Sequence, residues 1–386
     1  MKKLTIVLST LILGLHLLFS HAPNFQNVTA ESMLDSMTAK SAVVMEFDSG
    51  ELLLAKEQDK RLPIASMVKL MTVLLTMESI DNGSLALDQK LTISKNSAGM
   101  GGSQVFLDAN NDYTVEDLLK STIVASANDA SVALAEAIAG SERDFVDKMN
   151  LRARELKMNN TLYANCTGLP AVSAYSCAED VAKLLREVLK HELYFKYSTI
   201  WMQDLVHPSG RVTGLTNTNK LIRYYKGCDA GKTGSTSEAG YCLSASAKKN
   251  DMRVISVVIG AESGAKRFSE SASLLDWAFA NYERKCVLEK GQKLDSIEVR
   301  NAKIKQVTPI LSDGFAVVGK KGEKNDLQTK FDLDSTIKAP LSQNQKIGTA
   351  YVLKNGVVIK EIDIVVECDV QKVGYFDSLK QVASNF

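Results

Sequence analysis

Three short segments in fixed order carry groups that together can open a carbonyl: Ser66-Met67-Val68-Lys69, Ser126-Ala127-Asn128 and Lys232-Thr233-Gly234. A serine hydroxyl is a weak nucleophile until a base takes its proton. Lys69 can take it only if its ammonium deprotonates near neutral pH, and burial and a second nearby cation both push it that way. Lys232 is that cation if its strand lies alongside the helix of Lys69. Ser126 can then relay a proton toward the leaving group, while Asn128 orients Lys69 or the substrate backbone. The backbone N–H groups of Ser66 and Ser235 are natural donors to a tetrahedral oxyanion. Gly234, without a side chain, lets the substrate approach the strand closely. Thr233 and Thr236 offer hydroxyls to a carboxylate.

No one segment suffices. Ser-x-x-Lys occurs four times, at Ser66, Ser246, Ser263 and Ser335, so three matches are chance. Ser66 could be a mere helix cap, Asn128-Asp129 a capping pair and Lys232-Thr233-Gly234 a turn. Yet Lys69 stands between Val68 and Leu70 in a run apolar on nearly every side, where an unpaired lysine is costly. A histidine-based hydrolase competes poorly, since only His191 and His207 would remain once a signal segment over 1–30 is removed, and no Gly-x-Ser-x-Gly elbow occurs. Gly99-Met100-Gly101-Gly102 lacks the strand, helix and downstream acid of a dinucleotide fingerprint and reads as a flexible loop.

The elements that must position these groups are legible from periodicity. Ala42 to Ala55, turning at Asp48-Ser49-Gly50, predicts a β-hairpin opening a sheet. Met67 to Ile80 predicts a largely buried helix with Ser66 in its first turn and Lys69 one turn on, on the same face. Thr114 to Ala139 predicts two helices meeting near Ala127-Asn128, the second starting at Asp129. Phe145 to Met158 and Ala178 to Leu189 predict further helices. Beyond Gly234 come strands Tyr241 to Ala247 and Arg253 to Ile259, then a helix Glu270 to Tyr282. Strands at both ends of a helical middle imply an α/β sandwich whose sheet joins the two ends of the chain.

Past Glu283-Arg284-Lys285 the composition shifts. Ile297–Val299, Ile304–Val307, Phe315–Val318, Val357–Ile359 and Ile362–Val365 alternate as in a small all-β domain. We therefore expect a catalytic domain over 38–283, a β-rich domain over 291–370 and a tail over 371–386. In that tail Val373, Phe376, Leu379, Val382 and Phe386 fall on one face of a short helix, suited either to packing on the β domain or to lying in a membrane surface. At the other end, Lys2-Lys3 and the apolar run Leu4 to Phe19 read as a secretory signal within 1–30. Cleavage is expected after Ala30 rather than after Ala22, where Pro23 follows. Export permits disulfides. The six cysteines are nonetheless scattered through a chain long enough to bury its own core. Cys166 and Cys177 are near enough in sequence to pair, Cys242 reads as a buried thiol, and no CxxC spacing suggests a metal. With 386 residues, 45% hydrophobic content and a formal net charge of +1, the chain is an ordinary globular protein with no electrostatic pull toward nucleic acid.

From about Ala39 to Val370 the chain resembles the serine-type D-alanyl-D-alanine carboxypeptidases, the low-molecular-mass penicillin-binding proteins. The likeness is carried by Ala65-Ser66-Met67-Val68-Lys69-Leu70-Met71-Thr72, Thr114-Val115-Glu116-Asp117-Leu118-Leu119, Ser126-Ala127-Asn128-Asp129-Ala130, Thr167-Gly168-Leu169-Pro170 and Lys232-Thr233-Gly234-Ser235-Thr236. It implies a β-lactamase/transpeptidase-like fold, with helical subdomain and antiparallel sheet, followed by the small β domain. It implies removal of the terminal D-alanine from peptidoglycan stem peptides, with no cofactor and with β-lactams as covalent inhibitors. The protein would act at the outer face of a bacterial cytoplasmic membrane or in the cell-wall space. By matching position Ser66 is the acylated nucleophile, Lys69 its base, and Ser126 with Asn128 the second motif. Lys232, Thr233, Gly234, Ser235 and Thr236 line the substrate, and Arg267 meets the terminal carboxylate. Val68 replaces the commoner threonine, and Ala230-Gly231 precede Lys232 where glycine and a bulkier residue are usual. The closest rival, a class A β-lactamase, needs a glutamate to activate the deacylating water. Glu155-Leu156-Lys157-Met158-Asn159 offers one only superficially, because Glu155 continues a helix. A third possibility is a wall-binding module with an idle site.

Overall fold

The computed structural model describes residues 30–374 apart from 324, 325 and 335. The expected signal segment, apart from Ala30, and the tail from 375 on lie outside the described residues, as does Ser335 of the fourth Ser-x-x-Lys match. Among the described residues no helix is long and apolar enough to cross a membrane.

A five-stranded antiparallel sheet runs in the order Leu52–Lys56, Ser41–Glu46, Met252–Ala261, Gly240–Lys249, Cys228–Thr236. It joins the two ends of the catalytic region, as the pattern predicts. Successive side chains point to opposite faces, and here both faces are covered. Val43, Met45, Ile255, Val257 and Ile259 face the helical core. Ala42, Val44, Val254, Leu243 and Ala245 pack against Leu274, Leu275 and Ala278 of the helix Gly264–Asn281. Burial on both faces explains why Ser41–Glu46 reads as a nearly continuous apolar run.

The helix Lys69–Asp81 is central to the core, with Leu70, Met71, Val73, Leu74 and Met77 all buried. Its buried threonines are satisfied, Thr76 Oγ1 donating to the Thr72 carbonyl within the helix and Thr72 Oγ1 to the distant carbonyl of Cys166. A short 3-10 turn, Ala65–Val68, precedes it and carries Ser66. Helices Val115–Val124 and Asn128–Ala139 pack beside it. The first ends three residues earlier than the sequence suggests. Ser126 takes φ +62 there, which stops the helix and turns its hydroxyl aside. The helix expected from Glu270 begins at Gly264, six residues earlier, with Ser263 Oγ accepting from Lys266 N as its cap. Arg267 therefore stands in a helical first turn. Ser263 serves a structural end, and so does Ser246, whose Oγ accepts from Arg253. Two of the chance Ser-x-x-Lys matches are thus accounted for.

The strand Tyr282–Leu288 leaves that helix directly and pairs with Phe315–Lys320. A four-stranded sheet follows, ordered Pro309–Leu311, Val357–Val366, Lys346–Lys354, Leu327–Leu333, over a core that includes Leu311, Ile347, Val352, Ile362 and Ile364. Ile304, expected in a strand, lies exposed in a bend. Cys166 and Cys177 are both buried free thiols, as is Cys242.

Candidate active site

The site forms where the 3-10 turn, the connection 125–127 and the strand Cys228–Thr236 converge. Lys69 Nζ lies 3.1 Å from Ser66 Oγ and donates to the Thr167 carbonyl at 2.6 Å. Lys232 Nζ donates to Ser126 Oγ at 2.7 Å and to the Thr233 carbonyl at 3.0 Å. The three motifs, separated by up to 166 residues in sequence between Ser66 and Lys232, thus meet as two lysine–serine pairs.

Lys69 is 0% and Lys232 1% exposed, and among the described residues neither forms an ion pair with a carboxylate, so burial decides their charge. Burial brings the Lys69 ammonium down to about 7, although the Cys166 thiol and the Asp129 carboxylate pull the other way. Burial also holds Lys232 well below the usual lysine range, helped by repulsion from Lys69 and Arg267. The push expected from Lys232 on Lys69 does not show, and burial brings the Lys69 amine down against the pull of Cys166 and Asp129. One amine near pH 7 beside a hydroxyl is what general-base activation of a serine requires.

Ser66 owes its place to two glycines. A β-carbon on Gly234 would come within 2.6 Å of the Ile64 carbonyl oxygen and 2.9 Å of Ser66 N. The sequence reading reserved that space for substrate, whereas the protein's own backbone fills it. Gly168, at φ +81, abuts the same turn from the other side, and Ala65 itself sits at φ +48. The nucleophile's turn is therefore clamped between two strips of bare backbone.

Asn128 Nδ2 donates to the Gly101 carbonyl at 2.6 Å rather than to Lys69, and its backbone N–H donates to the Ser103 carbonyl. Its Oδ1 is buried and finds no partner among the described residues. Of the two roles open to Asn128, the geometry favours holding a substrate donor. The glycine-rich stretch is a fitted strap, since a β-carbon on Gly102 would stand 2.8 Å from Asn128 Nδ2. Asp129 holds that strap, its carboxylate accepting from Val105 N and Leu107 N. Motif spacing alone gave no sign of this, beyond an aspartate following Asn128.

Strand alternation divides the third motif. Lys232, Gly234 and Thr236 fall on the face toward Ser66, Thr233 and Ser235 on the face toward the helix of Arg267. Thr236 Oγ1 accepts from Ala239 N. Arg267 Nη1 donates to the Gly234 carbonyl at 3.2 Å, and its guanidinium lies beside the rings of Tyr241 and Phe268. Its Nε is buried and has no partner among the described residues, leaving donor capacity beside the strand. A groove lined by Ala65, Val68, Tyr163, Leu169, Tyr175 and Glu238 lies beside the 3-10 turn that carries Ser66. Glu155 is the last residue of the helix Glu142–Glu155, half exposed and paired with Arg152. Arg152 also pairs with Glu78, which stands nine residues, about 13 Å of helix, beyond Lys69. That places Glu155 away from the nucleophile.

Comparison with known proteins shows the family. The model of the D-alanyl-D-alanine carboxypeptidase family matches residues 26–263, and that of the penicillin-binding protein 5 C-terminal domain matches 282–372. The D-alanyl-D-alanine carboxypeptidase DacF of Bacillus subtilis is 39% identical, the match covering 100% of this chain and 99% of that one. The crystal structure of penicillin-binding protein 5 from Haemophilus influenzae superposes with a TM-score of 0.66 at 31% identity, covering 87% of this chain and 98% of the other. Penicillin-binding protein D2 of Listeria monocytogenes, solved in its ampicillin-bound form, matches with a TM-score of 0.57 at 31% identity, over 63% of this chain and 98% of its own.

Proposed function

The chain belongs to the serine-type D-alanyl-D-alanine carboxypeptidase family, and from that premise we propose that it removes the terminal D-alanine of peptidoglycan stem peptides through an acyl-enzyme on Ser66. The observation that carries the proposal is a fully buried lysine 3.1 Å from a serine hydroxyl, where burial brings the ammonium down to about 7.

Neutral Lys69 accepts the Ser66 proton as Oγ attacks the carbonyl carbon of the penultimate D-alanine. The backbone N–H groups of Ser66 and Ser235 receive the oxyanion. Collapse breaks the C–N bond, and the departing amine takes a proton from Ser126, which Lys69 replenishes with the proton it took, becoming neutral again, while Lys232 holds the Ser126 hydroxyl. A water molecule then attacks the ester, and Lys69 accepts its proton and passes it to Ser66 Oγ as the ester C–O bond breaks. Asn128 Oδ1 is suited to a substrate amide N–H, and Arg267, with Thr233 on its face of the strand, to the terminal carboxylate. A β-lactam presents a carbonyl and a carboxylate at comparable separation, so the same attack yields a lasting adduct. The protein would meet these substrates after export, in the cell-wall space.

The test is the intact mass of the protein over time with benzylpenicillin. A persistent adduct that vanishes in Ser66→Ala is expected. Rapid catalytic loss of the drug without an adduct would make the chain a β-lactamase, and no reaction would leave an idle binding module.

A further inference from the structure

Lys69 owes its shortest contact to a turn that lies outside all three motifs, and that turn is built on one side chain. Asn165 Oδ1 accepts from Gly168 N at 2.6 Å, from Thr167 N at 3.2 Å and from Thr167 Oγ1 at 3.2 Å. Its Nδ2 donates to the Leu169 carbonyl at 2.9 Å. Thr167 Oγ1 in turn accepts from Leu169 N. The amide thus spends both its ends on residues 167–169. Two consequences follow for the reacting groups. The Thr167 carbonyl is turned onto Lys69 Nζ, and Gly168 is held in the left-handed region against Ala65 and Ser66. Just before the turn, the Cys166 carbonyl accepts from Thr72, three residues beyond Lys69 on the same helix, so both flanks of the turn are tied to the nucleophile's own elements.

We propose that Asn165 is a positioning residue for acylation: by locking the 167–169 turn it commits one N–H of Lys69 to the Thr167 carbonyl and leaves the lone pair of the neutral amine facing Ser66 Oγ. A primary amine rotates freely about its last carbon–nitrogen bond, and only a fixed acceptor can set where its lone pair points. Orientation of this kind is worth large factors in rate. The inference rests on the reading of Ser66 as nucleophile and Lys69 as base.

The titratable groups around Lys69 are the Cys166 thiol from this turn, the Asp129 carboxylate from the helix Asn128–Ala139 and Lys232 from the strand, with Arg267 beyond Lys232. Burial pushes the Cys166 thiol well up, so it stays neutral. A carboxylate placed at position 165 would therefore add a new negative charge beside the amine.

The experiment measures the second-order rate constant of labelling by a fluorescent penicillin against pH, for the full chain and for Asn165→Asp and Asn165→Ala. Asn165→Asp keeps the three acceptor contacts, and its rising limb should move up by about one pH unit. Asn165→Ala should lower the high-pH plateau by about 10- to 100-fold. A limb in Asn165→Asp that coincides with the parent, or a parental plateau in Asn165→Ala, overturns the proposal. If Asn165→Ala does not fold, Asn165→Asp decides alone. If the parent itself is not labelled, or labelling survives Ser66→Ala, the reading of Ser66 and Lys69 has failed and this inference falls with it.

Discussion

A β-carbon placed on Gly168 would stand 2.0 Å from the Ala65 carbonyl oxygen, closer than any non-bonded pair can approach. Gly168 is therefore part of the wall that fixes Ser66, although it carries no reactive group. Its φ of +81 adds a second reason for glycine.

Gly168→Ala should cut the penicillin labelling rate by at least about 100-fold, since displacement of a nucleophile by an ångström costs that order. The strained backbone alone should cost about 1–2 kcal/mol of stability. Labelling kinetics and a thermal melt on the same sample check both, and parental labelling would show that the turn yields without moving Ser66.

The amine of Lys69 titrates near pH 7 when folded and near 10.5 when unfolded. The unfolded chain therefore binds the extra proton between those values, and this group's contribution to stability improves as pH rises from about 7 toward 10.5. Replacing it with methionine removes the penalty. Lys69→Met should be inactive, and its stability relative to the parent should be greatest at or below pH 7 and shrink in alkaline buffer. Denaturant titrations at two pH values test this, and a difference independent of pH would mean that Lys69 is not held neutral by burial.

Among the described residues Ser126 is the one side chain to which Lys232 Nζ donates. Ser126→Ala should slow acylation by about 10²–10⁴-fold, the usual worth of a positioned proton relay. Rapid-mixing kinetics with a peptide ending in D-Ala-D-Ala would measure it, and a loss confined to substrate binding would assign Ser126 a different part.

Arg267 should matter only where a free carboxylate is present. Arg267→Ala is expected to lose about 1.5–3 kcal/mol of transition-state binding with such peptides, as for a hydrogen bond to a charged group. The same peptide carrying a C-terminal amide should be indifferent to the change. Equal losses on both substrates would mean that Arg267 acts through its bond to the Gly234 carbonyl instead.

Much of this site could be read in advance because its chemistry is tied to residue type and short spacing. A lysine one turn after a serine in an apolar run predicts both the contact and the burial. The surplus Ser-x-x-Lys matches at Ser246 and Ser263 could be discounted on their surroundings, and each has a structural task. Less legible was where helices stop. Ser126 leaves the helix because its hydroxyl reaches Lys232, 106 residues away, and no local propensity records that partner. The glycine-rich strap looked loose because its anchors, Asn128 and Asp129, lie more than twenty residues further on.

The sequence by itself determined which groups are available: a hydroxyl, two lysines, an amide and an arginine, carried on elements whose apolar periodicity compels them to pack together. Only the tertiary structure decided the relations among them. It set how deeply Lys69 is buried, and hence its charge. It set Gly234 and Gly168 against the protein's own backbone rather than against substrate, and it brought Asn165 to the turn that faces Lys69. Burial and close approach depend on every element packed around a residue, and those neighbours are drawn from across the whole chain.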